Sequence, residues 1–384
     1  MPAIFLSPVN MANSSNSSHV FLRHPPPHEL LLEFAPVGAW SERLIPPLWY
    51  FIGFLGNPLS AAIWFSKRMR RNNSSAIYLG ALAISDTLFL FFHLLYILHT
   101  TWGYVTYNHP VACEIFHFLF YIPQYFATFL VLCFTVERYV AVCHPFVKEK
   151  LCTVKHAVIL TTAVLTLSVA ISLAQLYIWT YYEGPGICNI RTASYNPGFY
   201  HVWSWVTDVI IYGVFPLLTL VFNSLVISEI LRMSRIPELR QQSRVQHTAS
   251  TVTLLVVSLY FVITQVTATL VARLEQSFPL GDVHLDDQQI RRDSTWSSFF
   301  CYIQARKLIE VLCLSHYAVY FLIYCMTGKR FREQVVQFLS FNGRLECVLK
   351  LCSPSVTEEA RYTMVATRGA VYSDTYGTDV VTDL

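Results

Sequence analysis

Charge is what this sequence has least of. Only 13% of its 384 residues are Asp, Glu, Lys or Arg, about half the roughly 25% of a soluble globular domain. Too little charge to clothe a water-facing surface, set against 54% hydrophobic residues, excludes an ordinary soluble enzyme. The net charge of +3 is small and asks for no nucleic-acid partner. A leader peptide is also missing from the reading: Ile4-Phe5-Leu6 is too short for an apolar leader core and Pro8 follows it, so the first membrane helix is expected to direct insertion. Met11 is an alternative start. There is no internal repeat, and no pair of Gly/Pro-interrupted apolar segments of the kind a transporter uses at mid-membrane.

What the chain does have is apolar runs of membrane length, about 20 residues each. They fall at 45–66, 76–101, 111–143, about 155–182, about 200–232, about 250–274 and about 299–326. The joints between them differ in sign. Lys67, Arg68, Arg70 and Arg71 lie in the first joint, Lys148, Lys150 and Lys155 in the third, and Arg235, Arg240 and Arg244 in the fifth. Lys329, Arg330 and Arg332 follow the last run, whereas 102–110 has no Lys or Arg and the fourth joint has only Arg191. The sixth carries Arg291 and Arg292 among Asp282, Asp286, Asp287 and Asp293. Positive joints stay inside, which puts the N-terminus outside and the C-terminus in the cytoplasm. The fold class expected is an all-α membrane protein, a seven-transmembrane helix bundle. Residues 329–339 alternate Phe, Val and Leu with Lys and Arg, the pattern of a short amphipathic eighth helix on the inner leaflet.

The most informative stretch is Thr135-Val136-Glu137-Arg138-Tyr139, closing the third run before His144-Pro145. A Glu-Arg pair at a membrane helix end is either an interfacial anchor or functional. It resembles the Asp/Glu-Arg-Tyr signature of rhodopsin-like (class A) G-protein-coupled receptors, and other features match that family. Gly56-Asn57, Leu82-Ala83-Ile84-Ser85-Asp86 and Pro216 resemble its first, second and fifth span motifs. The sixth and seventh depart from it, with Gln265 and Thr267 in place of Trp and Pro, and Tyr320 and Phe321 in place of Asn and Pro; Phe261 and Tyr324 remain. Phe120 stands where an amine receptor has Asp, and Leu314 where an opsin has its Schiff-base Lys, so neither ligand is expected. The third, fifth and seventh span stretches together look most like invertebrate peptide receptors of the FMRFamide-receptor type and the vertebrate orphan receptors near them.

The resemblance implies a receptor in the plasma membrane that binds an extracellular peptide and activates a heterotrimeric G protein, with arrestin a further partner of the C-terminal tail. It is not expected to be an enzyme. It implies a disulfide between Cys113 and Cys188, a resting pair of Glu137 with Arg138, and a Tyr324 that swings toward Arg138 on activation. Tyr139 completes the signature and Phe146 would pack into the G protein. Asn57 and Asp86 would share a buried polar network, which in the family often holds sodium; the alternative is a protonated Asp86 that merely packs. Ala127, His316 and Tyr320 supply few of the oxygens a hard cation wants, so neither metal nor cofactor is expected.

The outer halves of the spans offer Tyr96, His117, Gln124, Asp208, Tyr212, Gln265, Arg306 and Glu310 as ligand contacts. Asp208 has no partner nearby in sequence, which favours a basic ligand group there. Arg306 and Glu310, at i and i+4, either contact ligand or satisfy each other. The domains expected are a flexible extracellular tail over 1–43 with N-glycosylation triplets at Asn13 and Asn16, the seven-helix domain with its eighth helix over 44–340, and a disordered cytoplasmic tail over 341–384. Cys347 and Cys352 are either palmitoylated or ordinary cytosolic thiols. Two other readings stand beside the receptor: a receptor fold that signals without ligand or not at all, and a seven-helix transporter.

Overall fold

The computed structural model describes residues 20–23, 27–71, 73–184, 186–191, 199–235 and 248–340. Asn13, Asn16, Cys347, Cys352 and the tail from 341 lie outside them. The chain divides into two compact units, Met1–Phe331 and Arg332–Leu384. The second is described only over 332–340, the greater part of the helix Lys329–Ser340.

The first unit is a helix bundle, because a backbone in hydrocarbon must satisfy its own polar groups and a helix does so within one segment. Span one is Pro46–Trp64, span two Ser75–Thr100, span three Ala112–Cys143 and span four Val154–Ile178. Span five runs from Phe199 to Ser234 through one π-helical stretch, Ile210–Val214. Span six is Thr248–Arg273, and span seven is built from Ser294–Cys313 and His316–Thr327. Six of these are long and apolar enough to cross a membrane. Span one is shorter, with 19 residues that include Asn57 and three prolines. Local chemistry sets several starts: Pro46 and Pro47 open span one where their missing N–H groups cost nothing. Thr153 caps span four by accepting from the His156 N–H, and Asp293 caps span seven by accepting from that of Trp296.

Span three is the central strut, packed against spans two, four, five and six. Its Leu130, Val131 and Phe134 are fully buried, while Leu173, Leu217 and Ile263 on other spans point out of the bundle. That division is what a bilayer around the bundle requires.

Two expectations need correction. Span four stops at Ile178, not near 182, because Trp179–Tyr182 (β1) pairs antiparallel with Ile187–Ile190 (β2) in a hairpin, Tyr181 opposite Cys188. The aromatic and β-branched Trp179-Thr180-Tyr181-Tyr182 suits a strand as well as an apolar helix end. The tail expected to be flexible is helical over Pro27–Phe34 and Pro36–Leu44. Those helices bury Leu30, Leu31, Ala35 and Ala39 against Ile290, Trp296, Phe299, Phe300 and Ile303, a second apolar core beyond the hairpin end of the bundle. Ion pairs fasten it: Arg23 to Asp287 at 3.1 Å, Arg291 to Glu33 at 2.7 Å and Lys307 to Glu42 at 2.6 Å. Span seven contains the expected run of about 299–326 and is interrupted within it at Leu314-Ser315, before the position, Phe321, where the resemblance implies a proline.

Candidate functional site

At the hairpin end, spans two, three, five, six and seven line a cavity of about 330 Å³. Four of the eight expected contacts line it: Gln124, Asp208, Tyr212 and Gln265. Phe89, Phe120, Phe299 and Tyr317 supply aromatic wall, and Arg273, Glu275 and Gln276 polar wall. The Tyr212 hydroxyl donates to Gln124 Oε1 at 3.5 Å, joining spans five and three.

The other four stand outside the lining. Tyr96 stacks on Phe120, ring centres 5.9 Å apart, and His117 stacks on Trp179 at 3.6 Å. His117 Nδ1 also lies 2.8 Å from the Cys113 carbonyl. Arg306 and Glu310 are one shell behind the wall, 2.9 Å apart, with Arg306 also bonded to the lining residue Glu275. The side chains of this triad are 9%, 13% and 16% exposed for Arg306, Glu310 and Glu275. Asp208 is not free for a ligand cation as its local sequence implied: Arg273 of span six pairs with it. Arg273 also donates to the Ser204 hydroxyl at 3.2 Å and sits over the Trp205 ring. Sequence reasoning missed Arg273 and Glu275, although two charges closing an apolar run at the mouth of a bundle were a signal for them.

The Cys113–Cys188 disulfide is formed and ties β2 to the start of span three. Asn108 holds the same hairpin through two bonds, accepting from the Cys188 N–H at 2.5 Å and donating to the Gly186 carbonyl at 2.7 Å. Glu114 accepts from the Tyr181 N–H at 3.2 Å. Cys113, His117 and Cys188 come within 4.8 Å of one another, but the two sulfurs are spent on each other and leave no thiolate pair for a metal.

In the middle of the bundle Asp86 is fully buried, and Asn57 nearly so. They share no hydrogen bond among the described residues: Asn57 donates to the Tyr317 carbonyl at 2.7 Å, while both Asp86 oxygens, Asn57 Oδ1, His316 Nε2 and the Tyr320 and Tyr324 hydroxyls have no protein partner. Five of these unpartnered atoms are oxygens, but Ala127 brings no donor and His316 brings a nitrogen, so of the positions where the resemblance implies further sodium ligands only Tyr320 offers an oxygen.

At the opposite end, Glu137 Oε1 and Arg138 Nη2 are 4.0 Å apart. Ser74 donates to Glu137 at 2.6 Å, Ser75 lies 3.4 Å from the same oxygen, and Arg138 donates to the Ser75 hydroxyl. Tyr139 packs on Phe222 at 5.3 Å, and its hydroxyl is 3.3 Å from His144 Nε2. Phe146 is 94% exposed. Tyr324 is buried edge-on to Trp64 at 5.3 Å and beside Phe331.

Residues 59–316 match the family model of the 7 transmembrane receptor (rhodopsin family). The probable C-C chemokine receptor type 3 of Mus musculus is 28% identical over 321 residues, 80% of this chain and 80% of that protein. The C-C chemokine receptor type 1 of Homo sapiens is 32% identical over 145 residues, 36% of this chain and 39% of that protein. The P2Y purinoceptor 4 of Xenopus laevis is 32% identical over 142 residues, 35% of this chain and 26% of that protein. These relatives carry the resemblance at the level of the family and give no support to the finer one, the FMRFamide-receptor type.

Proposed function

We propose, from the premise that this chain belongs to the rhodopsin family of seven-transmembrane receptors, that it binds an extracellular peptide in the hairpin-end cavity and activates a heterotrimeric G protein at the Glu137 end. The observation that carries the reading is one bundle with a charged, aromatic cavity at one end and, at the other, a tethered Arg138 beside an exposed Phe146. The positive joints orient it, N-terminus outside, in the plasma membrane.

The relatives' names offer two ligand classes, chemokine and purine. A cavity of about 330 Å³ admits the end of a polypeptide but not a folded protein. A nucleotide's phosphates seek free guanidinium or ammonium groups, yet Arg273 and Arg306 are already engaged by Asp208 and by Glu275 with Glu310. Three carboxylates share two guanidiniums in this cluster. The ligand group that balances it is a cation, so a peptide with a basic residue near one terminus fits best. A ligand that prefers the active arrangement of the bundle shifts the equilibrium by its difference in affinity for the two states.

The test is a library of short peptides and chemokines applied to cells expressing the chain, read as second-messenger output. A basic peptide is expected to respond, with the response lost in Arg138→Ala at matched surface level. A response confined to nucleotides, or one indifferent to Arg138→Ala, would overturn the reading.

A further inference from the structure

The helix Pro36–Leu44 leads into span one through Ile45, whose own dihedral angles are helical. One of its faces is committed to this chain. Gly38, Ala39 and Ser41 are buried, and a Cβ on Gly38 would stand 2.9 Å from Gln304 Cα of span seven. Glu42 pairs with Lys307 and accepts from the Thr101 hydroxyl at 3.2 Å. The other face turns outward: Val37, Trp40, Leu44, Leu48, Phe51 and Leu55 are each more than half exposed. Spacings of three and four residues align them in one stripe. It starts on Pro36–Leu44 and continues down span one, so it is continuous with the lipid-facing surface of the bundle. Arg43 stands beside this stripe. Its guanidinium donates to the Thr101 carbonyl at 3.3 Å and lies over two indole rings, 5.6 Å from the centre of Trp40 and 5.4 Å from that of Trp102. No carboxylate pairs with it among the described residues. Thr101 follows span two, whose 26 residues reach about 39 Å at about 1.5 Å each, more than the roughly 30 Å of hydrocarbon in a bilayer. Arg43 therefore stands at the boundary where indole rings meet lipid headgroups.

We propose that Trp40, Arg43 and Trp102 hold the phosphate of a bilayer phospholipid, and that the apolar stripe below them takes its acyl chains. A guanidinium presents its N–H groups as a fork that matches two phosphate oxygens. Here that charge lacks a carboxylate and is framed by two half-exposed indoles, whose apolar bodies suit the upper part of a lipid. A protein partner in the water would need the stripe to end at the membrane surface, whereas this one runs on through Leu48, Phe51 and Leu55 into the depth of the hydrocarbon. The helix Pro36–Leu44 is then seated on lipid along one face and on span seven along the other. Through Glu42 and Lys307 the lipid site stands one helix away from the cavity wall.

The experiment uses the full chain, one copy per lipid nanodisc, and reads tryptophan emission. The discs carry a small fraction of a phosphatidylcholine with a headgroup nitroxide, or of a nitroxide lipid of the same depth that has no phosphate. The emission removed by Trp40→Phe and by Trp102→Phe reports those two rings. That share is expected to be quenched by both labels, more strongly by the phospholipid, and less by iodide in the water than by either. Arg43→Gln is expected to cut the excess quenching by the phospholipid about tenfold, the weight of a hydrogen bond to a charged group. Arg43→Lys, a point charge without the fork, keeps part of it. Equal quenching by the two labels in the wild-type chain, or an excess that survives Arg43→Gln, would overturn the phosphate site. So would loss of the excess on adding inorganic phosphate, which marks a site for a soluble anion. Quenching by iodide and by neither lipid would overturn the lipid itself and leave the stripe to a protein partner. Protection from both labels only in discs that hold two copies would also overturn it, and assign the face to a second copy of the chain.

Discussion

Arg306 is the residue whose loss the structure makes most costly at the cavity end. Its guanidinium serves Glu310 through Nε at 2.9 Å and Glu275 through Nη1, and all three side chains are at most 16% exposed. Arg306→Met keeps most of the volume but leaves two carboxylates close together and poorly solvated. Removing one partner from a buried ionic cluster costs about 3–5 kcal/mol. For a bundle of this size that lowers the apparent melting temperature on the order of 10 °C. Glu310→Gln should behave differently. Arg306 and Glu275 remain a one-to-one pair, and the Gln amide oxygen can still accept the Nε–H, so a cost under about 1 kcal/mol is expected. The triple change Arg306→Met, Glu275→Gln, Glu310→Gln removes every charge, and should recover much of what the single Arg306 change loses. Thermal unfolding of the detergent-purified protein, followed by a thiol-reactive or intrinsic fluorescence probe, ranks the three. A Glu310→Gln variant as unstable as Arg306→Met, or a triple variant no better than it, would refute the charge count on which the cationic ligand class rests.

Cys113→Ala and Cys188→Ala are each expected to impair surface delivery, with no further loss in the double variant because both remove one bond; losses that add in flow cytometry would contradict this. Trp296 is fully buried in the outer core and donates to the Asp282 carbonyl at 3.0 Å. Trp296→Ala should cost about 3–5 kcal/mol locally and speed amide exchange over 27–44 while leaving that of span three unchanged. Sodium is expected to be a weak modulator of agonist binding, since Ala127 and His316 contribute no oxygen beside Asp86; a large sodium-specific fall in affinity that vanishes in Asp86→Ala would show otherwise.

Much of the bundle was legible because hydropathy and charge act over whole segments. Span lengths, the sign of the joints and the Glu137-Arg138 signature all lie in contiguous stretches. The disulfide followed from the family resemblance, not from spacing. What escaped depends on partners far away in the chain. Asp208 looked unpartnered because Arg273 is on another span, and the Pro- and His-rich segment before span one gave no periodic pattern strong enough to reveal that Ile290 and Trp296 would complete its core. Arg306 and Glu310 were legible as an i,i+4 pair, but not the third member, Glu275. The hairpin was missed for the opposite reason: its first strand is apolar enough to pass as the end of span four, and in the sequence only the turn-forming residue types Gly-Pro-Gly at 184–186 signal a reversal.

The two missing prolines leave different consequences in spans six and seven. Span six runs from Thr248 to Arg273 as one helix with no proline inside it, so it lacks the built-in hinge that a missing backbone hydrogen bond provides. Span seven has its joint elsewhere, at Leu314-Ser315. There the ladder tightens to three-residue spacing: the Ser315 N–H donates to Leu312, that of Tyr317 to Leu314 and that of Ala318 to Ser315. The Ser315 hydroxyl caps the Leu312 carbonyl at 2.5 Å and meets the Tyr260 hydroxyl of span six at 2.6 Å. The joint is thus fastened to the neighbouring helix that has no proline. It is also part of the cavity wall, with Cys313 and Leu314 on one side of the break and His316 and Tyr317 on the other lining the same space. A proline lower in the helix would place the bend beyond reach of anything in the cavity. With the break at Leu314-Ser315, the cavity touches both halves of span seven and, at Gln265 and Thr269, span six itself.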